Sequence, residues 1–571
     1  MPRSPSSRAA ASRHRKQHGI HYTPAELAQF LARVTLAERA ETNSHLNVNV
    51  LDPACGNGVL LSAMARLSPN ANLTGYETDA TTTATARDVL SGATNGQVEI
   101  HEDDFLERNQ RASPNRFDVV ITNPPYVRTQ TLGAARSRAL AARWRLTGRV
   151  DLYQAFVRAV TDALRPGGVL GLLTSNRFLS VQAGSALRAL LRDEYELRAI
   201  YDLGDTRLFT AAVLPVIVVA VRRGTGRPPC DGTAAARFVR VYEEVADGEG
   251  ETGRRGEDLF NALLDSDLSS AVVPDGSRYR IERGTLASES SNGAVWRLSR
   301  PDYDRWLARV AERSAGTFGD FTEIRVGIKT TADAVFVRGD WDDLPESRKP
   351  EPELLRPVIT HREAARWSIN WAEDSRRVLY PYLACEGKRR PISLRDFPKA
   401  TKYLLEFEER LRNRRYLVDS GRQWYEIWVP HRPALWLEPK LVFPDISEKP
   451  RFALDQSGAI VQGDCYWMIL KPGVETDWLW LMLAVANSKF IERFYDLTFH
   501  NKLYAGRRRF MTQYVRQFPV PRLDSDAGRL LVALARRRVA QPGNDIDDAE
   551  VNRLVNEAFG VENKSGGLCL C

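Results

Sequence analysis

A short apolar run, Val48–Leu51, ends in Asp52-Pro53-Ala54-Cys55-Gly56-Asn57-Gly58, and residues at helical spacing follow at once. This feature narrows the fold most. A strand that breaks into a glycine turn and resumes as a helix is how an α/β sheet builds a nucleotide pocket at its carboxyl edge. The pattern recurs: Leu73–Tyr76 runs into Glu77, Val98–Ile100 into Asp103-Asp104-Phe105, and Phe117–Thr122 into Asn123-Pro124-Pro125-Tyr126. A helix over Leu152–Leu164 ends at Arg165-Pro166-Gly167-Gly168, strand Val169–Thr174 follows, and Val216–Val221 reads as a later buried strand. Upstream, Thr23-Pro24-Ala25-Glu26 has the chemistry of a helix start, with Thr23 as cap, Pro24 in the first turn and Glu26 completing a capping box. Leu27, Phe30, Leu31 and Val34 then recur at helical spacing. Strands alternating with helices across short links predict an α/β domain with a doubly wound, mostly parallel sheet.

The glycine turn is compatible with a nucleotide ligand or with tight packing alone. Glu77 sharpens the first reading, because it lies about twenty residues past the glycines, where a carboxylate can accept from ribose hydroxyls. The Gly56-Asn57-Gly58 spacing lacks the third glycine of the dinucleotide fingerprint and leans away from such a cofactor.

Asn123-Pro124-Pro125-Tyr126 follows a buried strand at the edge where ligands bind. Methyl transfer to an exocyclic amine is difficult because the nitrogen lone pair is delocalised into the ring. The site must accept both amino hydrogens while positive charge develops on nitrogen. The Asn123 side-chain oxygen and the Pro124 carbonyl would be two fixed acceptors. The prolines stiffen their loop, and Tyr126 offers an aromatic face for an extruded base. A proline-rich turn with a packed tyrosine is the plain alternative, and the ordered company of Asp52–Gly58, Glu77 and Asp104-Phe105 argues against it.

At these motifs the chain resembles the gamma-class adenine-N6 DNA methyltransferases of type II restriction–modification systems, in their TaqI-like arrangement. In that class an HYTP-type segment (here 21–24), the glycine turn, the acidic strand end, the DFL segment (104–106) and NPPY come in this order. The resemblance implies a class I fold dependent on S-adenosyl-L-methionine, acting on double-stranded DNA. By the same resemblance Thr23 would contact the cofactor's methionine moiety, and Asp52, Pro53, Ala54, Cys55 and Gly56 would line its pocket. Glu77 would hold the ribose, Asp104 would accept from the cofactor's adenine with Phe105 beside that ring, and Pro125 would also touch the cofactor. Asn123 and Pro124 would hold the target amine, with Tyr126 and Phe209 stacking near the two faces of the flipped adenine. Cys55 receives no nucleophilic role and no metal is implied. The look-alikes modify short palindromes containing TCGA, which sets the expected kind of site.

Cytosine-C5 chemistry would need a cysteine nucleophile, usually in a Pro-Cys pair. Pro229-Cys230 is such a pair but sits in a polar loop well after the strand series. Cytosine-N4 enzymes use a related tetrapeptide typically beginning with serine or aspartate, so Asn123 favours adenine. RNA and protein-glutamine amines are also served by NPPY, and a long basic, aromatic second half favours duplex DNA over them.

That second half begins past a composition shift over 222–258 and holds Trp367, Trp371, Trp424, Trp428 and Trp436 among arginines. The runs Lys388-Arg389-Arg390, Arg412–Arg415 and Arg507-Arg508-Arg509 together suit phosphate contacts and guanine readout. Arg325–Thr330, Leu355–Ile359, Leu483–Tyr495 and Phe510–Pro521 resemble the start and end of a TaqI-like specificity domain, with Tyr504–Arg509 replacing the family's usual glycine-rich stretch. The expected division is a disordered basic arm 1–18, a catalytic domain 19–240, a linker region 241–300, a mixed α/β target-recognition domain 301–525, and a C-terminal helix and loose tail 526–571. The stretch before Thr23 is too short for a folded nuclease, and Glu438-Pro439-Lys440 matches a nuclease pair only by chance, so the cognate endonuclease is expected as a separate protein. A catalytically silent DNA-binding protein is the remaining rival, disfavoured by the intact Asn123 and Glu77.

A formal charge of +8 permits a polyanionic partner. Six scattered cysteines without CxxC spacing fit a reduced cytoplasm and no structural zinc. No run of about twenty apolar residues predicts a membrane span. A monomer is expected, since each strand's adenine can be modified in a separate encounter.

Overall fold

The computed structural model describes residues 23–40, 47–108, 114–126, 133–144, 146, 151–204, 206, 214–224, 236–243, 259–273, 276–287, 295–372, 374–385, 388–499, 506–541 and 548–561. They belong to two compact units, Met1–Pro301 with Phe499–Gly506 and Asp302–Thr498 with Arg507–Cys571.

In the first unit the strand signals become one sheet: β1 (Asn49–Asp52), β2 (Asn72–Glu77), β3 (Val98–Glu102), β4 (Phe117–Thr122), β5 (Leu164–Ser175), β6 (Tyr195–Asp202), β7 (Pro215–Arg222), β8 (Arg237–Glu243), β9 (Ser270–Val272), β10 (Arg278–Ala287) and β11 (Arg297–Ser299). The order is β3-β2-β1-β4-β5-β7-β6-β8-β10-β11, with β9 against β10. Neighbours from β3 to β5 pair in parallel. β7 runs antiparallel between β5 and β6.

Continuous apolar strands such as Phe117–Thr122 need cover on both faces, and every residue of β4 is buried. The helix Ala25–Ala40 supplies one cover: Leu27, Phe30, Leu31 and Val34 share a core with Leu61, Met64, Val50, Val119, Ile121 and Leu173. Val120, Leu170 and Leu172 alternate with that set and are equally buried. Helices Leu152–Ala163 and Ser185–Glu194 pack on β5 and β6. The doubly wound sheet is therefore present, parallel from β3 to β5 and mixed beyond it, where β6 and β8 pair in parallel and the other neighbours are antiparallel.

The segment 241–300 is not the linker expected. Its described part carries β8 to its end and adds helix Leu259–Leu264 and strands β9 to β11 to the same unit. Phe260 stacks on Phe30 at 5.0 Å. β10 lacks a continuous apolar run because an antiparallel strand near a sheet margin alternates. Tyr279 and Ile281 are buried, while Arg278 and Arg280 face outward.

The second unit is mixed α/β. One sheet has the order Thr322–Val326, Cys465–Leu470, Lys440–Pro444, Ala453–Asp455, Trp367–Ser368, and another Val337–Arg338, Arg377–Leu379, Leu355–Ile359, Ile460–Val461. Phe336, Trp341, Val358, Tyr403, Trp436 and Trp467 lie in one core. Where a helix and a loose tail were expected, two helices, Asp526–Ala540 and Asp548–Ala558, pack with Asp477–Ala486. Leu531, Leu534, Val551 and Leu554 are buried there, which their helical spacing allows. Residues 562–571, with Cys569 and Cys571, lie outside the described residues, as does the basic arm. Among the described residues no helix is long and apolar enough to cross a membrane.

Candidate active site at the carboxyl edge of the first sheet

Parallel strands bring the residues that follow them to one edge. Asp52 ends β1, Glu77 ends β2, Asp104 follows β3 and Asn123 follows β4. The strand order β3-β2-β1-β4 sets these groups in a row as Asp104, Glu77, Asp52 and Asn123. Three strand spacings of ~4.8 Å make that row roughly 15 Å long.

The glycine turn opens the row at its centre. Gly56 and Gly58 have φ of 52° and 80°, the left-handed region that an L side chain resists. Gly58 begins helix Val59–Leu67, and its amide donates to the Cys55 carbonyl at 2.8 Å. A Cβ on Gly56 would meet nothing within 4 Å, so open space lies beside this turn. The opposite holds for Gly75, where a Cβ would stand 2.8 Å from Cys55 Sγ. Cys55 is thus a small buried packing residue, and burial pushes its thiol well above the ordinary range, which removes it as a nucleophile. Pro53 and Ala54 complete the turn, and the Ala54 amide donates to Asp52 Oδ1 at 3.2 Å.

Asp52 is fully buried, and its Oδ2 has no hydrogen-bond partner among the described residues. Burial raises its carboxyl to about 7; the charge of Glu77 adds to the rise, and the Ala54 amide and Thr122 oppose it. A buried acceptor without a donor is costly, so it marks a place where a ligand's polar group would fit. Glu77 Oε1 accepts from the amides of Thr78 at 2.7 Å and Asp79 at 2.9 Å, which fixes the carboxylate at the strand end. Asp103 forms an ion pair with Arg108 at 3.1 Å. Asp104 Oδ1 accepts from the Leu106 amide at 2.9 Å. Phe105 is buried, its ring 5.2 Å from Tyr76 and 6.4 Å from Phe156.

At the end of β4, Pro124 is buried and Asn123, Pro125 and Tyr126 are half-buried. Asn123 Nδ2 donates to Thr23 Oγ1 at 3.0 Å. The Tyr126 hydroxyl donates to Asn123 Oδ1 at 2.6 Å and lies 3.4 Å from the Leu173 carbonyl. Burial pushes the Tyr126 phenol far above its ordinary range, so it stays protonated. The sequence assigned Tyr126 only a stacking face, and this hydrogen bond to the neighbouring amide is additional. Thr122, Tyr153 and Leu173 also border the site and escaped the sequence reading. Thr122 and Leu173 look like ordinary strand residues, and the only signal near Tyr153 is the Asp151/Gln154 capping box that starts its helix. Phe209, with His21, Tyr22, Pro229 and Cys230, lies outside the described residues.

The second unit sorts the aromatic and basic residues into two groups. Trp367, Trp424 and Trp436 are buried, while Trp371 and Trp428 are 43% and 37% exposed. Trp428 is held by Arg422 over its ring at 5.2 Å and by the edge of exposed Tyr416 at 5.1 Å. Several arginines of the predicted phosphate-binding runs turn inward. Arg414 donates to the carbonyls of Leu411, Thr330 and Trp424, and Arg508 grips Asp496 with two bonds of 2.8 Å. Arg509 pairs with Asp445. Arg390, Arg415 and Arg507 remain exposed.

A sheet parallel from β3 to β5 with antiparallel β7 beside it, carrying a glycine turn, acidic strand ends and an Asn-Pro-Pro-Tyr corner, defines the fold of S-adenosylmethionine-dependent methyltransferases. Residues 58–209 match the Eco57I restriction-modification methylase family, and residues 365–520 match the TaqI-like C-terminal specificity domain. The chain is 34% identical over 569 residues to the type II methyltransferase M.BanIII of Aneurinibacillus aneurinilyticus, covering 96% of this chain and 98% of that one. It is 26% identical over 463 residues to the type II methyltransferase M.BstVI of Geobacillus stearothermophilus, covering 80% and 76%. Among solved structures, the cryo-EM structure of a DrdV–DNA complex shares its fold with a TM-score of 0.51 at 12% identity, over 93% of this chain and 58% of that one. The chain belongs to the type II restriction–modification methyltransferases. Its activity is site-specific methylation of DNA.

Proposed function

We propose that the protein transfers a methyl group from S-adenosyl-L-methionine to N6 of an adenine flipped out of a short palindromic duplex site. The observation that carries this reading is the row Asp104, Glu77, Asp52, Asn123 along β3-β2-β1-β4. Its order suits an elongated cofactor with adenine, ribose and amino-acid parts in succession, and its last member suits the acceptor amine. Asp104 and Phe105 would hold the adenine, Glu77 the ribose hydroxyls, and Asp52 to Gly56 with Thr23 and Pro125 the amino-acid end. The unpartnered Asp52 Oδ2 and the open space at Gly56 fit a ligand with a polar cationic end. When bound, the cofactor supplies a methyl group on a sulfonium.

The chain's own part is to prepare the nucleophile. Asn123 Oδ1 and the Pro124 carbonyl accept the two amino hydrogens and stabilise the positive charge that grows on nitrogen. Tyr126 and Phe209 stack on the everted ring, which offsets part of the lost base stacking. Exposed Trp428, Tyr416, Arg415 and Arg390 of the second unit are its candidate contacts to bases and phosphates. The cofactor site is served in the cytoplasm, a monomer suffices, and a separately encoded endonuclease would cut the same site, of the TCGA-containing kind.

Incubation with tritiated cofactor and duplex DNA, followed by digestion to nucleosides, should give N6-methyladenine. Recovery of N4-methylcytosine, or label on ribosomal RNA or protein alone, would overturn the reading. Single-molecule sequencing of DNA from an expressing host identifies the modified site.

A further inference from the structure

The acceptor oxygen that this reading requires is already engaged, and the two hydroxyls on the Asn123 carboxamide differ in how they are held. Thr23 stands two residues before the start of the helix Ala25–Ala40, is buried at 9% exposure, and accepts from the amide's Nδ2 at 3.0 Å. Tyr126 is half-buried and donates to Oδ1 at 2.6 Å, with the Leu173 carbonyl 3.4 Å away. The two ends of a carboxamide have the same shape and its terminal torsion is broad and two-fold. Something must therefore choose which end meets the substrate. If the amide were turned over, an NH₂ would confront the amino hydrogens of the base, donor against donor, and the acceptor would be lost. The distances favour the productive state: 2.6 Å is the length of an O–H···O bond and short for N–H···O, while 3.0 Å is ordinary for N–H···O.

Resting on the reading above, we propose that Thr23 is a positioning residue that sets the flip state of the Asn123 carboxamide, and that the Tyr126 hydroxyl is a releasable cap on Oδ1. Thr23 acts from the buried side on a short, β-branched side chain with little rotational freedom. Tyr126 can let go, because its proton has the Leu173 carbonyl as a second acceptor and need not be left unsatisfied. An entering amine then takes the vacated lone pair while Nδ2 stays on Thr23. The amide never has to search for its orientation, which is the preorganisation that transfer to a poor nucleophile requires.

The test uses the full-length protein with Thr23→Val, Thr23→Ser and Tyr126→Phe. Single-turnover methyl transfer is measured at saturating cofactor and duplex, S-adenosylhomocysteine binding by calorimetry, and base extrusion by fluorescence of 2-aminopurine at the target position. Thr23→Val should slow transfer by roughly tenfold to a hundredfold while extrusion is unchanged. Thr23→Ser should recover to within about threefold, since the hydroxyl returns, and in a Tyr126→Phe background Thr23→Val should slow transfer by the same factor as in the parent. Three outcomes overturn the proposal: an unchanged rate in Thr23→Val with only cofactor affinity lost, a Thr23→Ser as slow as Thr23→Val, or a Thr23→Val effect that vanishes in the Tyr126→Phe background. If the parent protein methylates an acceptor other than adenine, the proposed function fails separately, and the same variants still report on Asn123 with that acceptor.

Discussion

Asp52 at the edge of the first sheet and the Lys440–Asp455 pair in the second unit hold buried charge in different ways. At the edge, Asp52 is fully buried with one oxygen unpartnered. In the second unit Lys440 and Asp455, 0% and 2% exposed, pair at 2.6 Å, and Lys440 also donates to the Trp436 carbonyl at 2.7 Å. Arg414 and Arg508 are likewise buried and fully engaged. Asp455 faces a buried cation 2.6 Å away, whereas burial and the charge of Glu77 push Asp52 toward its protonated form. A charge in the sequence therefore has no fixed meaning until its partners are known.

Five substitutions press on that contrast. The largest effect falls on Asn123→Ala, expected to cut transfer by about 10²–10³ or more while S-adenosylhomocysteine binds within a few-fold of the parent by calorimetry. A normal rate would remove Asn123 from the role of amine acceptor. Next is Lys440→Met, which strands Asp455 in the core and should cost about 3–5 kcal/mol in the second unit's unfolding transition. The double variant Lys440→Met with Asp455→Leu should recover most of it in urea titrations, and failure to recover would mean the pair does more than neutralise itself.

Glu77→Ala should weaken cofactor binding by about 1.5–3 kcal/mol with little change in the saturated rate, read as a KM rather than a kcat effect. Asp52→Asn tests that protonation directly. The folded-state pKa of Asp52, about 7, lies above the ordinary 3.8, so the folded protein holds a proton that the unfolded chain releases between those values. Stability from this group is complete below pH ~4 and is lost as pH rises through ~7. Asp52→Asn should thus be near neutral in thermal melts at about pH 4 and stabilising relative to the parent at about pH 8. The same offset at both pH values would sink the assignment. The smallest structural effect belongs to Trp428→Ala, expected to change stability by roughly 0.5 kcal/mol or less while lowering duplex affinity. Unchanged DNA binding would turn attention to Trp371 and the exposed arginines.

Much of the first unit was legible in the chain. β4 falls on Phe117–Thr122 as read, and β1, β2, β3 and β7 shift by one or two residues at their ends, because continuous apolar runs closed by glycine or proline corners leave few alternatives. Its outer strands were not legible, since β10 alternates polar and apolar residues and its neighbours are polar loops. In the second unit the specificity domain was recognisable as a stretch, yet the inward arginines were not. Arg414 in an Arg412–Arg415 run is indistinguishable from its exposed neighbour Arg415 until the carbonyls of Thr330 and Trp424 arrive from elsewhere in the chain.

By itself the sequence determined the strand–turn–helix series, and with it the edge to which Asp52, Glu77, Asp104 and Asn123 must come, because each of these residues ends or follows a parallel strand. Only the tertiary structure decided their lateral order, since β4 pairs with β1 and not with β3, which precedes it in the chain. It alone also joined Thr23 to Asn123 across one hundred residues. A hydrogen bond between distant segments depends on how the intervening chain packs, and no local pattern encodes that.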